Sequence, residues 1–302
     1  MTALRALLAV VLCAAAARAE EVQSLVDRSL TLRGGKVDLT LHGGYTSSAS
    51  AAGSGSFDGE TLALGVDFGV SDQVQLGVAG ALPIHPGTAF GSVLGTALYS
   101  PDPAYAIRID AGFERIGLNG DKPSFPPSPS GALVLPDHSN RYMGGVGAEI
   151  KLPITPAIAF VTGRNGAVQF GHYSNIGDNG LGYYTGASRS TELSSDFLVI
   201  NAGDGGNTIL GVNLPAGLML QPDPHFALTL QAGYAVAINM GGSATHYIPI
   251  GLEAVVRPTP RLDIGTRFAI DGQIGITGTS STALRFDYFD QRALTFWLRL
   301  HI

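Results

Sequence analysis

The tetrapeptide His172-Tyr173-Ser174-Asn175 carries the residue types for nucleophilic chemistry. On a β-strand, positions i and i+2 share a face. An imidazole at 172 then sits near a hydroxyl at 174 and is placed to take its proton. A second chemistry is electrostatic. Arg108 and Asp110 lie two residues apart, as do Glu149 and Lys151, so each pair of opposite charges also shares a strand face. Asp38, Asp67, Glu114, Glu253, Arg257, Asp263, Arg267 and Arg299 occupy comparable positions in otherwise apolar stretches. Both chemistries require strands, and the rest of the chain has to supply them.

The last residues, 292–302, supply one. Leu294, Phe296, Leu298, Leu300 and Ile302 fall on one face; Ala293, Thr295, Trp297, Arg299 and His301 fall on the other. A tilted strand of about ten residues crosses a bilayer. Turn-forming residues divide the remainder: Ser71-Asp72, Pro101-Asp102-Pro103, Pro153 to Pro156, Gln221 to Pro224 and Pro258-Thr259-Pro260. Alternating segments flank each one, as with Leu62, Leu64, Val66, Phe68 and Val70 before the first turn and Val74, Leu76 and Val78 after it. With a first strand at 36–45 and the terminal strand, the count is about twelve. The tight turns lie on one side. The connections on the other side, 46–60, 85–91, 117–140, 171–207, 239–245 and 272–291, are longer. Short turns at one end and long loops at the other match the periplasmic and extracellular ends of membrane barrels.

The predicted fold class is therefore all-β: a transmembrane, antiparallel, up-and-down β-barrel of about twelve strands. Closure follows from the solvent, because lipid leaves an open sheet edge unsatisfied at several kcal/mol per group. A soluble sandwich or propeller is the competing all-β reading. The nearly charge-free outward faces and the asymmetry of the connections weigh against it.

Composition agrees. The chain of 302 residues has 41 glycines, 14% charged residues and a formal net charge of −6. No apolar run outside the N-terminal leader reaches the length of a membrane helix. Nothing resembles a basic stripe, so nucleic acid is not an expected partner. Arg5, the apolar stretch 6–17 and Ala17-Arg18-Ala19 read as a signal peptide over 1–19. The only cysteine, Cys13, lies inside it. Residues 20–35 read as a periplasmic N-terminal segment, either plugging the barrel mouth or mobile, and 36–302 as the barrel. No metal site or cofactor is expected.

The face opposite the apolar one is predicted to line the lumen. It carries Asp38, Asp67, Gln73, Gln75, Arg108, Asp110, Glu114, Glu149, Lys151, Thr229, Gln231, Glu253, Arg257, Asp263, Arg267 and Arg299. Salt bridges among these either fix barrel shape or form a charged constriction that selects solutes. Small inward residues such as Gly65, Gly77, Ala79, Gly147, Gly251 and Gly265 favour a water-filled interior and a narrow pore.

In layout the mature chain resembles the twelve-stranded porin-like barrels, including those grouped with outer-membrane channels of aromatic-compound degradation. The run Asp27-Arg28-Ser29-Leu30-Thr31-Leu32 before the first strand has a similar look in them. The terminal strand resembles the assembly signal of bacterial outer-membrane barrels, with Ile302 where Phe or Trp is usual. These resemblances imply an outer-membrane location and passive uptake of a small solute. Outer-membrane lipid and the barrel assembly machinery, acting through 292–302, are the implied partners. His172 to Asn175 is similar to the His-x-Ser-Asn motif of lipid A 3-O-deacylase and outer-membrane phospholipase A. That resemblance implies an alternative function, lipid hydrolysis with His172 as base and Ser174 as nucleophile on the lipid face. At the distance of the third catalytic member the chain has Tyr184, Thr185 and Gly186, so Asp178, Glu192 or Asp196 would have to substitute. A purely structural barrel is the remaining alternative.

Overall fold

The computed structural model describes residues 22–49, 56–85, 92–117, 138–162, 171–177, 180–188, 195–203, 208–239, 244–276, 284–287 and 291–302. The predicted signal peptide lies outside them.

The strands are β1 (Val37–Ala49), β2 (Ser56–Gly69), β3 (Val74–His85), β4 (Ser92–Asp102), β5 (Tyr105–Gly117), β6 (His138–Thr155), β7 (Ile158–Val161) and β8 (Gly171–Gly177). They continue with β9 (Gly180–Ser188), β10 (Ser195–Gly203), β11 (Thr208–Asp223), β12 (Phe226–Asn239), β13 (Ala244–Thr259), β14 (Leu262–Ile276), β15 (Leu284–Asp287) and β16 (Gln291–His301). Neighbours pair antiparallel and the sheet closes into a barrel of 12 strands. The seam is β1 against β16, from Asp38 opposite His301 to Ser48 opposite Gln291. Val37 and Ile302 exchange main-chain hydrogen bonds at the rim.

One wall position is built from two pieces. β7 pairs with β6 at 151–155 and with β11 at 217–220. Above it, β10 pairs with β6 at 141–148 and with β11 at 208–213. The chain leaves the wall after Val161, makes the hairpin β8–β9, and returns as β10. The expectation of a loop over 171–207 is corrected accordingly: β8, β9 and β10 lie within it. An unpaired edge between β6 and β11 is not tolerated in lipid, and 195–203 fills the gap. The predicted loop 272–291 is likewise partly strand: β14 runs to Ile276, and β15 pairs with it.

The outer surface is apolar. Ile107 and Ile109 on β5, Leu64 and Val66 on β2, and Leu230 on β12 are exposed large apolar residues. Exposed aromatic residues bound this surface. On β5, Tyr105 lies beside the tight turn and Phe113 nearer the long loops, about 26 Å apart along the strand. Phe226 and Tyr234 repeat that spacing on β12. With the usual tilt the band is about 20 Å tall, close to the aromatic-bounded apolar belt of membrane barrels. Phe113 packs against exposed Tyr142 of β6 with ring centroids 5.3 Å apart. Water would not tolerate so continuous an exposed apolar surface; hydrocarbon requires it.

Candidate functional site in the barrel lumen

The residues opposite the belt face inward. Asp38, Asp67, Arg108, Asp110, Glu149, Lys151, Glu253, Arg257, Asp263, Arg267 and Arg299 are all buried. Glu114 lies on β5 opposite Ser92 and Arg141, and its side chain is outside the described set. Gln73 departs from expectation: it is exposed in the tight turn before β3.

The described residues include two charge clusters. On β4, β5 and β6, Arg108 bridges Asp110 at 3.3 Å and Glu149 at 2.8 Å, and Thr96 Oγ1 donates to Asp110 at 2.8 Å. Across the seam, His301 lies between Asp38 at 2.6 Å and Asp263 at 2.9 Å. Arg257 reaches the other oxygen of Asp263 at 2.9 Å. These groups sit near the tight-turn end because the strand positions that carry them are close to the turns.

The N-terminal segment fills that end of the lumen. Leu25, Val26 and Leu30 are buried. Leu25 and Val26 pack with Ala159, Val161, Met219, Ala227, Val255 and Trp297, all buried wall residues. Leu30 packs with Leu98 and Ala106. Burying a Leu or Val side chain stabilises by about 1.5–3 kcal/mol. A single turn, closed by the Arg28 N–H to Ser24 carbonyl bond, folds the segment across the opening.

Its polar contacts run from wall side chains to its main chain. Gln221 Oε1 accepts the N–H groups of Leu25 at 2.7 Å and Val26 at 3.2 Å, and the hydroxyl of Ser24 at 2.9 Å. Lys151 Nζ donates to the carbonyl of Leu25 at 2.9 Å and to that of Arg28. Arg257 donates to the carbonyl of Gln23. Gln75 Oε1 accepts the N–H of Leu32 at 2.9 Å. One ion pair joins the segment to the seam cluster, Arg28 to Asp263 at 2.8 Å. The segment adds no rung to the barrel ladder before the hinge at Gly34-Gly35, where Gly35 adopts φ 80° and bonds the carbonyl of Gly69. A Cβ at Gly69 would collide with the Arg33 carbonyl, so this glycine lets the segment enter the barrel.

The small inward residues do less for open space than expected. A Cβ at Gly265 would overlap the indole of Trp297, and one at Gly251 would meet Arg267 Nη2 at 3.1 Å. Trp297 lies directly opposite Gly265 and Arg267 lies diagonally across from Gly251, so neighbouring strands lay large side chains over both glycines. Trp297 Nε1 also donates to Glu253 at 3.0 Å. Further from the turns, inward Gly44, Gly112, Gly233 and Thr295 are partly exposed. The lumen there is reached by solvent.

The fold is that of an outer-membrane β-barrel. The chain is similar to an outer-membrane channel from Pseudomonas putida F1, with a TM-score of 0.51 and 10% identity over 93% of this chain and 100% of that one. The β domain of the Bordetella autotransporter BrkA gives a TM-score of 0.47 at 10% identity, covering 89% of this chain and 100% of that one. The NanC porin gives 0.44 at 10% identity, covering 87% and 98%. No protein-family model and no curated protein sequence matches. The barrel and its apolar belt place the chain in the bacterial outer membrane.

His172 and Ser174 lie on β8, opposite Thr185 and Tyr183 of β9. Their side chains are outside the described set. β8 pairs with β9 alone. β9 lies near β2, β3, β4 and β5, so the two residues belong to a hairpin and not to a wall strand, and the expectation that they continue the wall's lipid-facing side is corrected: β10 holds that wall position. Asp178 and Glu192 lie outside the described residues, and Asp196 is on β10.

The apolar dock for Leu25 and Val26 escaped the sequence reading, yet it leaves a mark. Ile158-Ala159-Phe160-Val161, Leu218-Met219-Leu220 and Ala254-Val255-Val256 break the alternation and are apolar on both faces. Strands buried on both sides read as continuous apolar runs. Here the second covering is the N-terminal segment.

Proposed function

We propose that the chain is a porin-like channel of the outer membrane that passes a small solute, with its N-terminal segment as the closure of the pore. The observation that carries this reading is the identity of what fills the lumen. The tight-turn end is occupied by a strap tied to the wall at Gly34-Gly35, and beyond it the inward face is reached by solvent. Withdrawal of the strap breaks no ladder hydrogen bond of the barrel, since each of its hydrogen bonds to the wall between Val22 and Leu32 involves a side chain. A purely structural barrel has no need of a detachable filling.

Export and assembly belong to the same proposal. Residues 1–19 serve as the signal peptide, and 292–302 engage the barrel assembly machinery. The tight turns then face the periplasm, and the strap closes the periplasmic mouth.

Planar-bilayer recording of the refolded chain tests the proposal. Wild type should stay mostly closed, with brief openings. Leu25→Asp combined with Val26→Asp should give a sustained current, because two carboxylates do not enter the apolar dock. A doubly substituted barrel that folds and stays sealed would sink the channel reading.

A further inference from the structure

The strap's dock has the make-up of a peptide site. Three neighbouring main-chain groups are each met by a buried wall side chain: the N–H groups of Leu25 and Val26 by Gln221 Oε1, and the carbonyl of Leu25 by Lys151 Nζ. A fourth group, the carbonyl of Gln23, is met by Arg257. Main-chain amides are common to every peptide, so these bonds specify a chain and not a sequence. Specificity comes from the apolar pocket under Leu25 and Val26, lined by Ala159, Val161, Met219, Val255 and Trp297. Its lining is aliphatic apart from one indole, and its rim is polar. A sugar would leave that pocket without an apolar partner. An inorganic ion would leave the Gln221 acceptor without an N–H donor.

We propose that this dock binds short peptides carrying aliphatic side chains, that such peptides are the solutes of the channel, and that the N-terminal segment holds the site by mimicking them. This rests on the channel reading for the transport step, and on the dock alone for the binding step. A blocked dipeptide, N-acetyl-Leu-Val-amide, presents both N–H groups and the carbonyl in the order found at Leu25-Val26. It displaces the strap by competition. The displacement is concentration-dependent, since occupancy follows the ratio of ligand to its dissociation constant.

Trp297 is the only tryptophan and forms part of the pocket, so its emission reports the occupant. The test uses the full chain with Leu25→Asp and Val26→Asp. A second release route, Arg28→Glu, opposes the charge of Asp263 and leaves the dock residues untouched. Heat-modifiable gel mobility selects whichever variant folds. Titration with N-acetyl-Leu-Val-amide should give a saturable change in Trp297 emission, and N-acetyl-Gly-Gly-amide should give none. Adding Gln221→Leu should weaken the dipeptide at least tenfold, because both of its N–H groups lose their shared acceptor in a buried site. In bilayers the dipeptide should also produce transient blocks of the released channel. No saturable response, or an equal response to the glycine dipeptide, would overturn the proposal. A barrel that conducts without peptide response keeps the channel reading and removes this one. A barrel that binds the dipeptide but never conducts keeps the peptide site and removes its transport role.

Discussion

Trp297 lies directly opposite Gly265 in the register of β16 and β14, and its indole fills the space that a side chain at 265 would need. The same ring borders the pocket of Leu25 and Val26 and donates to Glu253 at 3.0 Å. The wall, the strap and a lumen carboxylate thus meet at one aromatic side chain. Gly265→Ala should therefore displace the ring. Overpacking of this kind costs about 1–3 kcal/mol. Urea unfolding in detergent should show the loss, and Trp297 emission should change in the folded state. An unchanged unfolding midpoint and spectrum would mean that the two residues are not in contact.

The lipid belt gives a second expectation. Ile109 is exposed halfway between Tyr105 and Phe113, whereas Ile154 is exposed beside a tight turn. Ile109→Arg should cost about 2–4 kcal/mol and Ile154→Arg about 0–1 kcal/mol, following the depth dependence of a charge in a bilayer. Folding titrations into lipid vesicles compare the two. Equal costs would show that the belt is misplaced.

Gln221 accepts two strap N–H groups, and its removal leaves them buried without an acceptor. Each such loss costs about 1–3 kcal/mol. Gln221→Ala should raise the open fraction of the channel at least tenfold while leaving the barrel folded. Single-channel recording measures the open fraction. No change would show that this side chain does not hold the strap.

Asp263 is the shared partner of Arg257, His301 and Arg28 at the seam. Asp263→Ala leaves the Arg257 guanidinium buried beside its former partner. Breaking a buried pair this way costs about 3–5 kcal/mol. The variant should lose heat-resistant gel mobility at a lower temperature than wild type. Equal thermal profiles would contradict the seam described here.

Much of the barrel was legible in the chain because its signals are local. A period of two marks β2, β3 and β16, and Pro and Asp mark the tight turns. The outward and inward sets of β5 follow from Tyr105, Ile107 and Ile109 alternating with Ala106, Arg108 and Asp110. The break in the seventh wall position was not legible. Alternation shows that a segment is extended and says nothing of its partner, so β8 and β9, which pair with each other, read like wall or loop. The strap was hidden for a different reason. A glutamine or lysine that binds main-chain groups leaves no pattern in sequence, and Leu25, Val26 and Leu30 follow no strand period. The glycines misled because the space beside Gly265 belongs to the strand opposite, and register is a property of the folded sheet.

If the N-terminal segment closes the pore, fastening it to the wall holds the pore shut. Ser24 Oγ lies 2.9 Å from Gln221 Oε1, and the chain's only cysteine, Cys13, lies in the predicted leader. In the mature chain, Ser24→Cys with Gln221→Cys makes the only thiol pair. The 2.9 Å is reached by the end of the longer Gln221 side chain, so a short bifunctional reagent that forms a disulfide with each sulfur should bridge the pair and abolish the bilayer current, and reduction should restore it, reversibly and in one membrane. A current of the same size in the bridged and reduced states, with the bridge confirmed by mass, would contradict the account.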